Sequence, residues 1–571
     1  MDLASQLSRK LRPQHFKGEP NVRGSTPGPC VTALVSLATT LILALPRLVD
    51  ATPVNANSAS LSDVAAAIAS ATNGEVVTIP GGTASWTRTL RVRKGITIQG
   101  AGVGATIIKD NVQNGRLIDW TLAAGYPARL TGIEFQDGGR ITPVGAPGGV
   151  LHVDGSNTDG SSFRWDNCKW NKVNGAPVLD TVIGVIDHCA FITDKLGNAI
   201  YIYGSHWNGQ DFGDGSWAAP TGFGSSQFLF IEDCSFSHSK QSLRDVTDAY
   251  AGARFVVRHC TIFNGGPHNH GTESTGRARG SRVMEVYNNT YTGTDLNRFV
   301  GGSRSGGVLF HDNSISGYGG APVFTLVNVR NYMSFTPWGG ANGTNAWDVN
   351  EPNAFFNGTA ARNSSGLTVA VSGANWTTNQ WVGYVLRRTT NICNSGSLNY
   401  GKIQSNTSNT ITYTGNGGYR SPADMSICTG DSLEIRKVDH ALDQCGRAGG
   451  SLIDGNPPGR PARWNDQVTE PCYSWNNGKA HFEGGPGVRA NEHYYNNTPM
   501  PGYREYVYPH PLVTGNPVPS QPPSSPAATR TSLRKPWGGK QKETKRVRKL
   551  GRKAKDNSTN EMPEGQENVD N

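Results

Sequence analysis

Trp165-Asp166-Asn167-Cys168-Lys169-Trp170, Ile186-Asp187-His188-Cys189-Ala190-Phe191, Ile231-Glu232-Asp233-Cys234-Ser235-Phe236 and Val257-Arg258-His259-Cys260-Thr261-Ile262 are one motif written four times. Two further copies, Val286-Tyr287-Asn288-Asn289-Thr290-Tyr291 and Phe310-His311-Asp312-Asn313-Ser314-Ile315, place Asn where the first four place Cys. The Cys or Asn positions are separated by 21, 45, 26, 29 and 24 residues. A period in the twenties is the signature of a solenoid. The 45-residue step is either two coils or one coil with a long loop.

Counting the Cys or Asn as position zero, −3 is apolar and +2 is aromatic or aliphatic in every copy, while −2 and −1 are mostly polar. An unbroken strand would send −3 and +2 to opposite faces. A tight corner at −2/−1 lets both point inward. Each copy therefore reads as strand, corner, strand. Stacking them predicts a single-stranded right-handed parallel β-helix with interior ladders of Cys and Asn.

Composition agrees. The 571 residues include 71 Gly and 33 Pro, with only 36% hydrophobic and 17% charged residues. That suits a turn-rich all-β chain and disfavours a helical one. The net charge of +9 belongs to the ends: residues 1–51 carry +3, residues 530–571 carry +6, and the remainder balances 35 basic against 35 acidic residues. The body has no basic surplus for nucleic acid, which leaves the tail as the one place for such binding.

Residues 31–45 form an uncharged apolar run of roughly 22 Å as a helix, short of a bilayer core of about 30 Å. With basic residues before it and Val49-Asp50-Ala51 after it, residues 1–51 read as a secretory signal segment, which predicts a secreted or cell-surface protein without a stable membrane span. Residues 52–366 are assigned to the β-helix and 367–437, with alternating strand patterns, to a small β insertion. Residues 438–513 are assigned to C-terminal coils and a cap. Residues 514–571, Pro/Ser-rich and then Lys/Arg-rich, cannot bury a core and read as a disordered tail. Ser60–Ala71, with Leu61, Val64 and Ile68 at helical spacing and Gly74 beyond, predicts an N-terminal capping helix. A monomer is expected.

In an exported chain cysteines bear on disulfides. Cys168, Cys189, Cys234 and Cys260 read mainly as buried ladder residues, because coils about 4.8 Å apart do not match disulfide geometry, with Cys168–Cys189 the least disfavoured bridge among them. Cys393–Cys428 and Cys445–Cys472 lie outside the ladder and are the two expected bridges.

The opening Val77–Trp86 and Gly95–Gly102, the Val185-Ile186-Asp187-His188 stretch, and Arg279-Gly280 leading to the Tyr-Asn-Asn turn at 287–289 resemble the pectate-lyase-like superfamily of secreted β-helices. The resemblance covers roughly residues 60–330, with a weaker match at 440–512, and lacks the Trp of the pectate-lyase Val-Trp-apolar-Asp-His signature. It implies a site on the outer face of the strands about a dozen residues before the corner, and a lyase acting on an acidic, uronate polysaccharide by β-elimination. That reaction needs a base for the C5 proton, a cation for the carboxylate and help for the leaving group.

The matching stretches nominate residues. Arg277 is the expected base, with Arg279 and Arg282 as neighbouring register candidates and His270 as acid. Arg279, Arg282, Arg298, Arg304, Lys240 and Arg244 would hold substrate carboxylates, and Asp245, Asp248 and Glu273 a Ca²⁺ ion. Each has a plainer reading. The arginines pair with Glu273 and Glu285 on a sheet surface, the His268/His270 pair sits in a solvated loop, and Asp187/His188 bond the corner backbone. Trp207, Trp217 and Phe223 are either a sugar-stacking wall or loop packing. Two alternatives from other classes stand beside the lyase: a non-catalytic carbohydrate-binding or adhesive β-helix, and a glycoside hydrolase.

Overall fold

A computed structural model describes residues 53–515 apart from 146, 157–161, 195–199, 210, 240–244, 272–277, 295–296, 328–353, 391, 394–399, 415–425, 437–444, 447–469 and 486–487. The expected signal segment, residues 1–51, and the basic tail lie outside the described residues. Among the described residues no helix is long and apolar enough to cross a membrane.

The chain is a parallel β-helix. A full coil contributes one strand to each of three faces. The first face is a 12-stranded sheet that includes Ser162–Asp166, Ile183–Asp187, Leu229–Glu232, Arg254–Arg258, Val283–Tyr287 and Gly307–His311. The second, of nine strands, follows the corner and includes Lys169–Asn171, Ala190–Thr193 and Ser235–His238. The third, of seven strands, includes Leu151–Asp154, Val178–Asp180, Ile200–Tyr203 and Asp245–Tyr250. A three-stranded sheet of Phe299–Ser303, Val323–Leu326 and His481–Gly484 follows it, linked by the parallel bridge His268–Gly302. The 45-residue step is one coil: Ile200–Tyr203 lies on the third face, and the excess is a loop before Leu229.

The corner is tighter than the sequence suggested. Position −2 is still the last residue of its strand; position −1 alone turns, with positive φ at Asn167, His188, Asp233, His259, Asn288, Asp312 and Asn476 (49° to 55°). Asn, Asp and His tolerate this left-handed region better than other side-chain-bearing residues. One such residue shifts the phase of alternation, so −3, zero and +2 all face inward.

Position zero forms a continuous ladder. The Cys189, Cys234 and Cys260 thiols each approach the −3 carbonyl of the preceding coil (Trp165, Ile186 and Ile231) at 3.5–3.6 Å. Asn289, Asn313 and Asn477 do the same with their side-chain amides, donating to Val257, Val286 and Phe310 at 2.7–3.1 Å. The side-chain oxygens of Asn289, Asn313 and Asn477 accept the backbone N–H of Cys260, Asn289 and Asn313 respectively. Thiol and amide thus satisfy the same buried carbonyl.

The helix Leu61–Ser70 caps the first coils, burying Val64, Ala67 and Ile68; the Ser60 hydroxyl accepts Asp63 N–H at 3.2 Å. The insertion starts earlier than residue 367. Phe356–Thr359 pairs antiparallel with Ser432–Arg436, in a six-stranded sheet with its own core of Val369, Leu386, Ile411 and Ile435. The coils then resume at Cys472–Trp475, which pairs with the strand Gly307–His311. Finally, residues 503–513 lie across the outer side of the first face. Arg258 donates to the carbonyls of Tyr506 and Val507, Arg164 to that of Leu512, and His510 N–H donates to Glu232. That cover buries the polar −2 residues Asp187, Glu232 and Arg258.

Cys393–Cys428 is a disulfide, with Cα atoms 6.1 Å apart. The expected Cys445–Cys472 bridge is not formed. Both are buried thiols inside the coil stack: Cys445 Sγ lies 3.4 Å from Ser303 O and Cys472 Sγ 3.8 Å from Gly306 O, so each sulfur faces a backbone carbonyl as the ladder cysteines do.

Candidate functional site

The outer side of the third face is set by register. Pairing of Val178, Leu179 and Asp180 with Tyr201, Ile202 and Tyr203, and of the latter with Asp248, Ala249 and Tyr250, sends Ile202 and Ala249 inward. The outward rows are then Val178, Tyr201 and Asp248, and beside them Asp180, Tyr203 and Tyr250. His270 comes next, its N–H donating to Ala249 O at 2.9 Å.

These residues make one constellation. Tyr203 stacks on Tyr250 (5.2 Å between centroids, 11°), and Tyr250 on His270 (4.6 Å, 8°). Asp248 lies beneath, 1% exposed. One of its oxygens meets His270 Nδ1 at 2.5 Å; the other accepts the Tyr250 hydroxyl at 3.0 Å. The His270 side chain keeps 26% exposure. Burial, and after it the charge of Asp248, pushes the Tyr250 and Tyr203 phenols well above the usual tyrosine range, so both remain proton donors at neutral pH. A second pair stands alongside, His268 Nδ1 to Asp245 Oδ1 at 2.8 Å. A carboxylate that fixes an imidazole by one nitrogen is the standard support for a group that takes and returns a proton. The ring faces are used against one another: Tyr250 is buried with its hydroxyl on Asp248, while Tyr201, Tyr203 and His270 stay partly exposed.

Of the residues nominated from sequence, His270, Asp248 and Asp245 fall here. Asp248 is committed to His270 and Tyr250, and Glu273, the third carboxylate expected to hold Ca²⁺, lies outside the described residues. Arg277, Glu273, Lys240 and Arg244 lie outside the described residues. Arg304 is half-buried at the end of Phe299–Ser303, its N–H on Asn269 Oδ1 at 2.8 Å. Arg298 is exposed and paired with Glu483.

Arg279 and Arg282 are corrections. Both are buried, at 1% and 0% exposure, and neither is presented to solvent as a carboxylate holder. Arg282 donates to Glu470 at 2.7 Å and lies over the Trp217 ring at 4.8 Å. Trp217 is itself buried, its indole N–H on Gly280 O at 2.8 Å, and Trp207 packs under Arg254 at 5.2 Å. Phe223 packs against the cluster under residues 503–513. The loop aromatics are packing, not a sugar wall. Arg254 holds the loop: its guanidinium donates to the Ser216 hydroxyl and to the Ser216, Pro220 and Thr221 carbonyls at 2.7–2.8 Å. His188 occupies the corner with Nδ1 2.9 Å from Asp187, in keeping with a turn role.

Sequence reasoning missed Tyr201, Tyr203 and Tyr250. The signal was the alternation Ile200-Tyr201-Ile202-Tyr203, whose tyrosines share one face.

No family model matches this chain, nor does any curated protein or solved structure.

Proposed function

We propose that this is a polysaccharide-active β-helix whose site is the outer third face around His270, most consistent with a lyase that cleaves a uronate polymer by β-elimination. The observation that carries the reading is the Asp248–His270 pair at 2.5 Å set into a tyrosine ladder on the outer side of the third face, with the His270 side chain 26% exposed. Such a sheet accommodates an extended chain across several coils, and the partly exposed Tyr201, Tyr203 and His270 offer it aromatic and polar groups. His270, oriented by Asp248, exchanges the proton. Arg277 is the sequence-based candidate for the base, and Arg304 or Ca²⁺ for neutralising the uronate carboxylate.

β-Elimination leaves a 4,5-double bond that absorbs in the ultraviolet. Incubating the protein with a panel of uronate polymers, with Ca²⁺ and with a chelator, is expected to give rising absorbance on at least one. A flat trace throughout rejects the lyase. New reducing ends without absorbance point to a glycoside hydrolase, and retention on a glycan column without turnover points to an adhesive or carbohydrate-binding role.

A further inference from the structure

We propose that His311, Asp312 and Glu505 form a binding site for a divalent transition ion of the Zn²⁺ type, which ties the C-terminal segment to the body of the β-helix. His311 ends the strand Gly307–His311, Asp312 is the corner residue after it (φ 53°), and Glu505 comes from the segment across the first face. His311 Nδ1 lies 2.8 Å from Asp312 Oδ2 and 3.9 Å from Glu505 Oε1, and the three ligand atoms all fall within 4.8 Å of one another.

The imidazole is aimed, not merely nearby. At 1% exposure, it is sandwiched between Tyr287 (4.8 Å, 8°) and Trp475 (4.0 Å, 5°), with Tyr503 edge-on at 5.4 Å. These contacts fix the plane of the ring and direct Nδ1 at the two carboxylates. Asn476 Nδ2 donates to the other oxygen of Asp312 at 3.0 Å, the outer support expected of a ligating carboxylate. The Asp312 and Glu505 carboxylates face the same imidazole nitrogen, so their negative charges repel. A cation between the two acids relieves that repulsion. One nitrogen and two carboxylate ligands favour a Zn²⁺-type ion over Ca²⁺, which takes oxygen ligands.

The test titrates ZnCl₂, and CaCl₂ separately, into the full chain by calorimetry and follows the thermal midpoint. The variants are Asp312→Asn, Glu505→Gln and the double variant; His311 stays because it is part of the aromatic stack. Metal-free variants with the wild-type midpoint establish that they fold. The account expects one Zn²⁺ per chain, a midpoint that rises with Zn²⁺, and binding weakened about tenfold or more in each variant. No binding by the wild type, or equal binding by the double variant, overturns the site; equally tight Ca²⁺ binding overturns the class of ion.

Discussion

His270 Nδ1 and Asp248 Oδ1 lie 2.5 Å apart, and they belong to neighbouring coils of the solenoid, 22 residues apart in sequence. Stacking of coils, not local sequence, creates the pair. Tyr250, two residues after Asp248, completes it with a 3.0 Å hydrogen bond to the second carboxylate oxygen. Tyr250→Phe removes that bond and leaves a buried carboxylate oxygen one donor short. A loss of roughly 1–2 kcal/mol is expected in chemical denaturation. An unchanged midpoint would mean that water replaces the phenol.

The ladder makes a chemical prediction. Asn313→Ala strips acceptors from the Asn289 N–H and amide and a donor from Val286 O. A cost of roughly 2–3 kcal/mol is expected. Asn313→Cys restores a weak donor to that carbonyl, as Cys189, Cys234 and Cys260 do in their own coils. The order of urea midpoints should be wild type, then Cys, then Ala. Cys no better than Ala would contradict the equivalence of thiol and amide.

Much of this was legible beforehand. The recurrence of apolar −3, small or amide zero and large +2 residues requires a phase shift, and a phase shift requires a corner. The width of the corner was not legible. Asp166, Arg258 and His311 look like turn polars, but they are strand residues. Arg258 is buried by backbone from Tyr506 and Val507, about 250 positions further on, and a local pattern carries no sign of so distant a cover. The site divides in the same way. His270 and Asp248 stand out as polar residues on the expected face, yet which carboxylate meets which imidazole depends on register between coils. The alternation Ile200-Tyr201-Ile202-Tyr203 puts both tyrosines on one face, but that they lie beside Asp248 and Tyr250 follows from register between coils. Arg279 and Arg282 misled because charge in sequence suggests exposure, whereas both are folded into the packing beneath the loop.

The segment across the first face should respond to pH through Glu285. Its carboxylate accepts Tyr503 O–H at 2.6 Å and Gly224 N–H at 2.8 Å, and burial raises its pKa from the ordinary 4.5 to about 7. Below about pH 4.5 it is protonated folded and unfolded alike. Between 4.5 and 7 the unfolded chain releases the proton and the folded chain keeps it, so the folded state loses stability as pH rises. Glu285→Gln removes this loss. The difference in thermal midpoint, variant minus wild type, should grow more positive from pH 4.5 to above 7; a difference independent of pH counts against a protonated Glu285.

Arg254 is expected to be the anchor of the loop that borders the site. Replacing it by Ala deprives the Ser216, Pro220 and Thr221 carbonyls of their donor, at a cost of roughly 3 kcal/mol. Lys cannot reproduce the fork and should rescue only in part. Hydrogen exchange over residues 214–222 reads this directly. Protection equal to wild type in Arg254→Ala would show that the loop is held by Trp207 and Trp217 alone.

The central claim is that the pair His270–Asp248 carries proton transfer on a uronate polymer. The most direct measurement is the ultraviolet rate for wild type, His270→Ala and Asp248→Asn on whichever polymer the wild type degrades. The account predicts kcat reduced by about 100-fold or more in His270→Ala, and a smaller reduction with an altered pH profile in Asp248→Asn, both with KM little changed. A His270→Ala protein that turns over at the wild-type rate, or a wild type inert on every uronate polymer, contradicts it.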